Sequence, residues 1–212
     1  HFFKDVDEYS NLYILKPQNT KTKKPNTSKK EWQIQEVKLE QIIFESDDAP
    51  KSKKFEITIN KLLAHIKQDA VKWMIDAPVD LKVGQLGFNR NKGAFLENTE
   101  IKGDLYLEFD KNSKQFTIIK KPIQANGETI NFGAVFRLAE KPITFSLSID
   151  APKLHFDKAN AMLNKHIQSK LNLVNFENTL AVNATIDGRF SYPDTPTVHI
   201  KFQTQNNIIV TD

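Results

Sequence analysis

The sequence predicts a mostly β protein built from antiparallel strands, with one short helix near residues 157–172. Apolar and polar residues alternate with period two in segment after segment, and short turn signals separate most of these segments. Only the stretch 157–172 has apolar residues at clear helical spacing. We expect the 212 residues to form a single β-rich segment.

The alternation is clearest in IKGDLYLEF, residues 101–109, where Leu105, Leu107 and Phe109 share one side of an extended chain. The same pattern is present in the segments 55–60, 79–83, 115–119, 130–138, 143–149, 180–190 and 198–202. In the segment 37–44 the phase is broken by Ile42 and Phe44, which indicates a bulge. Each such strand is expected to have one apolar face and one solvated face.

One segment has clear helical spacing and a second segment is ambiguous. In residues 157–172, Asp157 is the expected N-cap, because its carboxylate can accept from the unpaired amides of a first helical turn. Residues 60–75 are ambiguous: their apolar residues fit one helical stripe, yet Val71, Trp73 and Ile75 also alternate after a possible turn at 67–70. For this segment we favour two strands over a helix.

Residues 16–30, KPQNTKTKKPNTSKK, are polar and rich in lysine and proline, which predicts a solvated loop. Contact of its lysines with anionic lipid head groups is an alternative. The chain starts at His1 and has neither a signal peptide nor an apolar run of about 18 residues. We therefore interpret it as a piece of a longer protein, with any membrane anchor outside this sequence.

The residues offer no recognisable catalytic, cofactor-binding or metal-binding motif. There is no cysteine, the five histidines are scattered, and neither a Gly-rich phosphate loop nor a GxSxG motif is present. A non-enzymatic protein is expected; an enzyme acting on glycans stays open, because paired carboxylates meet in space rather than in sequence. The net charge is +4, but only Arg90, Arg137 and Arg189 are arginines, so a nucleic-acid partner is not expected.

The abundance of apolar strand faces, with 15 phenylalanines in the chain, raises the question of what covers them. With little helix available, the sheet must fold onto itself, receive another segment or hold an apolar ligand.

Several segments together resemble AsmA-like proteins of the Gram-negative envelope. The resemblance extends from Asp5 to about Phe202 and is carried by loose apolar patterns. Its motifs are DVDEYSNLYILKP, EWQIQEVKLEQIIFES, ENTEIKGDLYLEFDKNSKQFTI, IQANGETINFGAVFRL, KLHFDKANAMLNKHI and LAVNATIDGRFSYPDTPTVHIKF. The chain departs from the family in lacking the usual glycine in the first turn and in its unusually polar insertion at 16–30.

The resemblance implies a long, curved, mostly antiparallel sheet that forms an apolar groove. It also implies a protein anchored in the inner membrane with its β body in the periplasm, which carries phospholipid for outer-membrane assembly or integrity. Phospholipid or another acyl-chain lipid is then the expected ligand, envelope proteins are possible partners, and the membrane anchor lies outside this sequence.

Besides an enzyme acting on glycans, two non-enzymatic functions remain open. In the first, the chain binds or conducts lipid in the groove; in the second, it is a structural or protein-binding periplasmic module with a closed core. The candidate groove residues are Leu105, Leu107, Phe109, Phe132, Phe136, Phe145 and Leu147.

Overall fold

The computed structural model describes residues 2–4, 34–50, 52–87, 93–172, 174–191, 194–204 and 209–211. The expected polar loop at 16–30 lies outside these ranges. The elements are β1 (Phe2–Lys4), β2 (Glu36–Asp48), β3 (Lys53–Gln68), β4 (Lys72–Gly87), β5 (Leu96–Asp110), β6 (Gln115–Ala125), β7 (Glu128–Arg137), β8 (Thr144–Leu154), α1 (Phe156–Ala161), α2 (Lys165–Leu171), β9 (Val174–Phe176), β10 (Leu180–Arg189), β11 (Thr197–Gln203) and β12 (Ile209–Thr211).

One open sheet contains most of the described residues. Its strand order is β1-β2-β3-β4-β5-β6-β7-β8-β10-β11, and every pair except the parallel β1–β2 pair is antiparallel. The strands β9 and β12 form a separate antiparallel pair. The predicted mostly β, antiparallel fold is confirmed, and hydrogen bonding does not close the sheet, because its order begins at β1 and ends at β11.

The ambiguous segment 60–75 forms two strands, which confirms the favoured prediction. The strand β3 ends at Gln68 and β4 begins at Lys72, so the turn lies between them. One carboxylate oxygen of Asp69 accepts from the backbone amides of Val71 and Lys72, each at 2.7 Å. These two bonds lower the pKa of Asp69 and hold the tight turn.

The predicted single helix is instead two short helices, and the expected N-cap is wrong. Helix α1 begins after His155, and Asp157 lies within its first turn. The chain leaves the helical path before α2, where the Asn164 side chain caps the new helix by accepting from the Ile167 amide at 3.0 Å. Asparagine competes with helical backbone bonding in this way, so it interrupts a stripe whose apolar spacing is otherwise continuous.

The register places the apolar residues of eight strands, β3–β8, β10 and β11, on the same side, which we call the apolar face. Paired residues on neighbouring strands point to the same side of a sheet. One row of successive partners is apolar throughout: Ile66, Ile75, Leu107, Ile118, Ala134, Leu147, Ile186 and Val198. The adjacent row is mostly polar and defines the polar face: Lys67, Met74, Glu108, Thr117, Val135, Ser146, Asp187 and Thr197.

Register shifts within two long strands keep their apolar residues on the apolar face. The β3–β4 register shifts between Ile59 and Lys61, and Gln41 of the neighbouring strand has φ 54. Beyond this point Ile42 pairs with Ile59 and so joins the apolar face, as the expected bulge requires. A second shift lies in β6, where a Cβ on Gly133 would stand 2.9 Å from the Cβ of Lys120.

The sheet is strongly curved toward its apolar face. The Nζ of Lys53, at the start of β3, lies 5.4 Å from the ring centre of Phe190, which directly follows β10. These strands are six steps apart in the sheet, a separation of about 29 Å in a flat sheet with strands 4.7–4.9 Å apart. The alternation along β3 and β10 places both Lys53 and Phe190 on the apolar face. The apolar face is therefore the inner side of the curve.

The two-faced sheet predicts opposite outcomes for neighbouring substitutions. Ile75 is half-buried against the core cluster of Ala64, Ala77 and Val79, whereas Met74 is exposed on the polar face. We expect Ile75→Asn to lower the free energy of unfolding by about 2–4 kcal/mol, because it removes apolar burial and desolvates an amide. The control Met74→Asn should cost less than about 1 kcal/mol. Urea unfolding measures both, and equal losses would contradict the assignment of faces.

Candidate functional site

All seven predicted groove residues lie on the apolar face. Leu107 and Leu147 belong to the apolar row, Leu105 pairs with Ala77, and Phe132 pairs with Ile149. The remaining three, Phe109, Phe136 and Phe145, each lie two residues from the apolar row, toward the same end of the sheet. Six of the seven side chains are half-buried. The structure therefore gathers onto one surface residues that the sequence places on three strands.

Phe145 differs from the other six because it is only 2% exposed. Its ring centre lies 5.0 Å from that of Phe190 and 6.4 Å from that of Phe136. A Cβ on Gly188, its partner in β10, would stand 2.7 Å from the Phe145 ring. Phe145 thus supports the neighbouring rings from within and leaves little of its own surface for a ligand.

An aromatic row crosses the apolar face near the turns that join β3 to β4 and β5 to β6. Its members, linked by strand pairing, are Trp73, Phe109, Phe116, Phe136 and Phe145. The ring centres of Trp73 and Phe109 are 5.7 Å apart, and Trp73 is 40% exposed. Trp73, Phe116 and Phe190 were not among the predicted site residues, although each continues its strand's alternation. We call this the aromatic end of the apolar face.

The two helices lie against the opposite end of the sheet, which we call the helix end. The Glu97 amide donates to the Met162 carbonyl at 2.8 Å, and the Asn164 amide group donates to the Ala94 carbonyl. The residues of the apolar face at this end are 0–5% exposed: Val83, Thr99, Ala125, Ala151 and Leu180. The apolar face is therefore covered at the helix end and partly accessible at the aromatic end.

A buried carboxylate attaches helix α1 to the sheet. Glu128, the first residue of β7, is 5% exposed. Its Oε1 lies 2.9 Å from the Lys158 Nζ, and its Oε2 accepts from the His155 amide at 3.1 Å. The His155 Nδ1 is 3.1 Å from both carboxylate oxygens. Burial alone would raise the pKa of Glu128, but these donors outweigh it and hold the pKa below the ordinary value of 4.5.

Two further features of the described ranges bear on function. We find no group of three or more histidine, aspartate or glutamate side chains placed to hold a metal ion among the described residues. In the same part of the chain, no helix has the length and apolar character needed to span a membrane. The expected lack of catalytic, cofactor and metal sites stays a prediction.

No family model, curated protein or solved structure matches this chain. The resemblance to AsmA-like proteins accordingly rests on the residue patterns alone, and membership of that family is a proposal. The first of its motifs, residues 5–17, lies outside the described ranges.

The Glu128 contacts predict an acid-sensitive attachment of helix α1. Because its pKa is lowered by folding, Glu128 stabilises the fold above the ordinary value of 4.5, and this contribution is lost as the pH falls through the lowered value. We expect Glu128→Gln to lower the free energy of unfolding at pH 7 by about 1–3 kcal/mol, since a charged hydrogen-bond acceptor is lost. The difference from the unmodified chain should shrink below pH 4.5.

Urea unfolding measured as a function of pH checks this prediction. The control is Glu100→Gln, which removes an exposed carboxylate on β5 and should change stability by less than about 0.5 kcal/mol. A Glu128→Gln effect that is the same at pH 3 and pH 7 would show that the charge does not matter.

Proposed function

We propose that this chain is a non-enzymatic segment of an AsmA-like envelope protein that binds the acyl chains of phospholipid along its apolar face. The observation that supports this most is the apolar row, which crosses eight strands without a polar side chain. Acyl chains need apolar contact worth about 0.8 kcal/mol per buried methylene and no directional bonding. Such a surface suits a lipid and offers nothing to a polar substrate.

The dimensions of the face fit an acyl chain. Eight strands at 4.7–4.9 Å spacing give the row a length of roughly 33 Å. A single leaflet contributes about half of the roughly 30 Å hydrocarbon core of a bilayer, or about 15 Å. One extended acyl chain would therefore cover about half of the row and leave the remainder for a second chain.

The uneven covering of the apolar face indicates where an acyl chain would enter the groove. The helices bury the helix end, whereas Trp73 and the half-buried Phe109, Phe116 and Phe136 are partly accessible at the aromatic end. Aromatic rings are common where one part of a side chain meets apolar groups and another meets water. We place the mouth of the groove at the aromatic end.

The cellular setting follows from the resemblance. We propose that the β body lies in the periplasm of a Gram-negative bacterium, that an anchor elsewhere in the parent protein holds it at the inner membrane, and that its lipid serves outer-membrane assembly or integrity. Envelope proteins are the expected protein partners, and nucleic acid is not a partner.

One observation favours a second function, the binding of a protein partner by strand addition. The strand β11 is an edge of the described sheet, and all seven of its residues are exposed. Ile200 and Phe202 are 62% and 61% exposed on the apolar face. An exposed apolar edge strand can pair with an extended segment of another protein.

Lipid binding is tested on three consecutive residues of β5. Leu107 and Phe109 lie on the apolar face, and Glu108 between them lies on the polar face. We expect the purified protein to carry phospholipid that solvent extraction and mass spectrometry identify. Leu107→Asn and Phe109→Asn should each reduce the bound lipid per protein at least about tenfold, because each removes an apolar side chain worth about 1.5–3 kcal/mol on burial.

The variant Glu108→Asn is the matched control and should retain lipid within about twofold, since it changes only an exposed ion pair with Lys72. Circular dichroism and urea unfolding establish that each variant is folded. Protein free of lipid after purification, and unable to take up phospholipid from vesicles, would overturn the proposal. Recovery of a cross-linked periplasmic protein at β11 would then favour the second function.

A further inference from the structure

A cavity of about 670 Å³ lies behind the groove, at the end of the sheet where β7 ends and β8 begins. Its walls include Arg137, Thr144, Ser146, Asp187, Arg189 and Asp194. Most of these strand residues alternate with residues of the apolar face, so the cavity opens chiefly on the polar face. A ligand in it would be separate from an acyl chain in the groove.

Arginine is scarce in this chain, yet two arginines meet in the cavity. Of the 30 basic residues only Arg90, Arg137 and Arg189 are arginines. Both arginines of the described ranges line this one cavity. Neither guanidinium group forms an ion pair or a hydrogen bond with another described residue. Two arginines whose guanidinium groups have no partner among the described residues therefore line the same space.

The register brings the two arginines onto one line across three strands. Arg137 of β7 pairs with Thr144 of β8, and Thr144 pairs with Arg189 of β10. The two arginine Cα atoms are thus two strand spacings apart, about 10 Å. Long side chains at this separation can converge over Thr144. A guanidinium offers a planar pair of donors that matches two oxygens of a phosphate group.

The cavity also contains carboxylates, which supply hydrogen-bond acceptors in addition to the arginine donors. Asp187 accepts from the Ser146 hydroxyl at 2.6 Å, so it is already partnered. Asp194 has no partner among the described residues. A free carboxylate beside two arginines disfavours a bare anion and favours a ligand that carries a hydroxyl or ammonium donor near its phosphate.

We propose that this cavity binds a phosphate ester whose alcohol portion carries a hydroxyl or ammonium group. Arg137 and Arg189 bind the phosphate oxygens, and Asp194 accepts from the hydroxyl or ammonium donor. The same chemistry occurs in a lipid head group and in a soluble phosphate ester. Because the cavity lies chiefly on the polar face, the proposal does not depend on lipid binding in the groove.

Titration calorimetry with glycerol 3-phosphate tests the site on the full chain. We expect saturable binding, weaker binding of inorganic phosphate and no binding of glycerol. Arg137→Lys and Arg189→Lys keep the charge but lose the planar donor pair, so each should weaken glycerol 3-phosphate binding about tenfold. Asp194→Asn should weaken glycerol 3-phosphate binding while leaving inorganic phosphate binding unchanged.

The control Lys153→Gln removes an exposed positive charge at the far end of β8 and should change binding less than about twofold. Equal binding by the unmodified chain and both lysine variants, or no saturable binding, would overturn the proposal. Vesicles containing phosphatidylglycerol distinguish the source of the phosphate. Competition between these vesicles and glycerol 3-phosphate assigns the site to a lipid head group, and glycerol 3-phosphate binding without vesicle binding assigns it to a soluble ester.

Discussion

Every long strand of this sheet has to keep its apolar side chains on the same side as those of its neighbours. A strand has a side-chain period of two, so an uncorrected slip of one residue would turn the rest of its apolar residues toward water. The register shifts in β3, near Lys61, and in β6, opposite Gly133, each add one residue and restore the phase. The continuity of the apolar face along these strands, and hence the groove, depends on these corrections.

The curvature of the sheet places the apolar face on its inner side. The proximity of Lys53 to Phe190 shows that the beginning of β3 curls over the end of β10. The helices cover the other limit of the face, where the buried Glu128 holds α1 and Asn164, the N-cap of α2, bonds the Ala94 carbonyl. Much of the apolar face is thus shielded by the sheet's own curvature and by two short helices, although the hydrogen-bonded strand order stays open and Ile200 and Phe202 of β11 are exposed.

Alternation along each strand was enough to predict the β fold, the two strands of 60–75 and the candidate groove residues on three strands. It could not predict which strands are neighbours or how their phases align, because both depend on turns and bulges. The aromatic row illustrates this, since Trp73 meets Phe109 only through the β4–β5 register. Helical spacing likewise could not show the break at Asn164, whose amide bonds the distant Ala94 carbonyl.

The open edge at β11 has a consequence for how such a groove could change in length. A closed barrel has a circumference set by its strand number, so inserting a hairpin disturbs the whole ring. Here a hairpin added beside β11 would meet only one existing strand and would extend the apolar face by roughly 10 Å. Duplication of hairpins is therefore a simple evolutionary route from a short apolar face to a long one, with the aromatic end and the helix end left as they are.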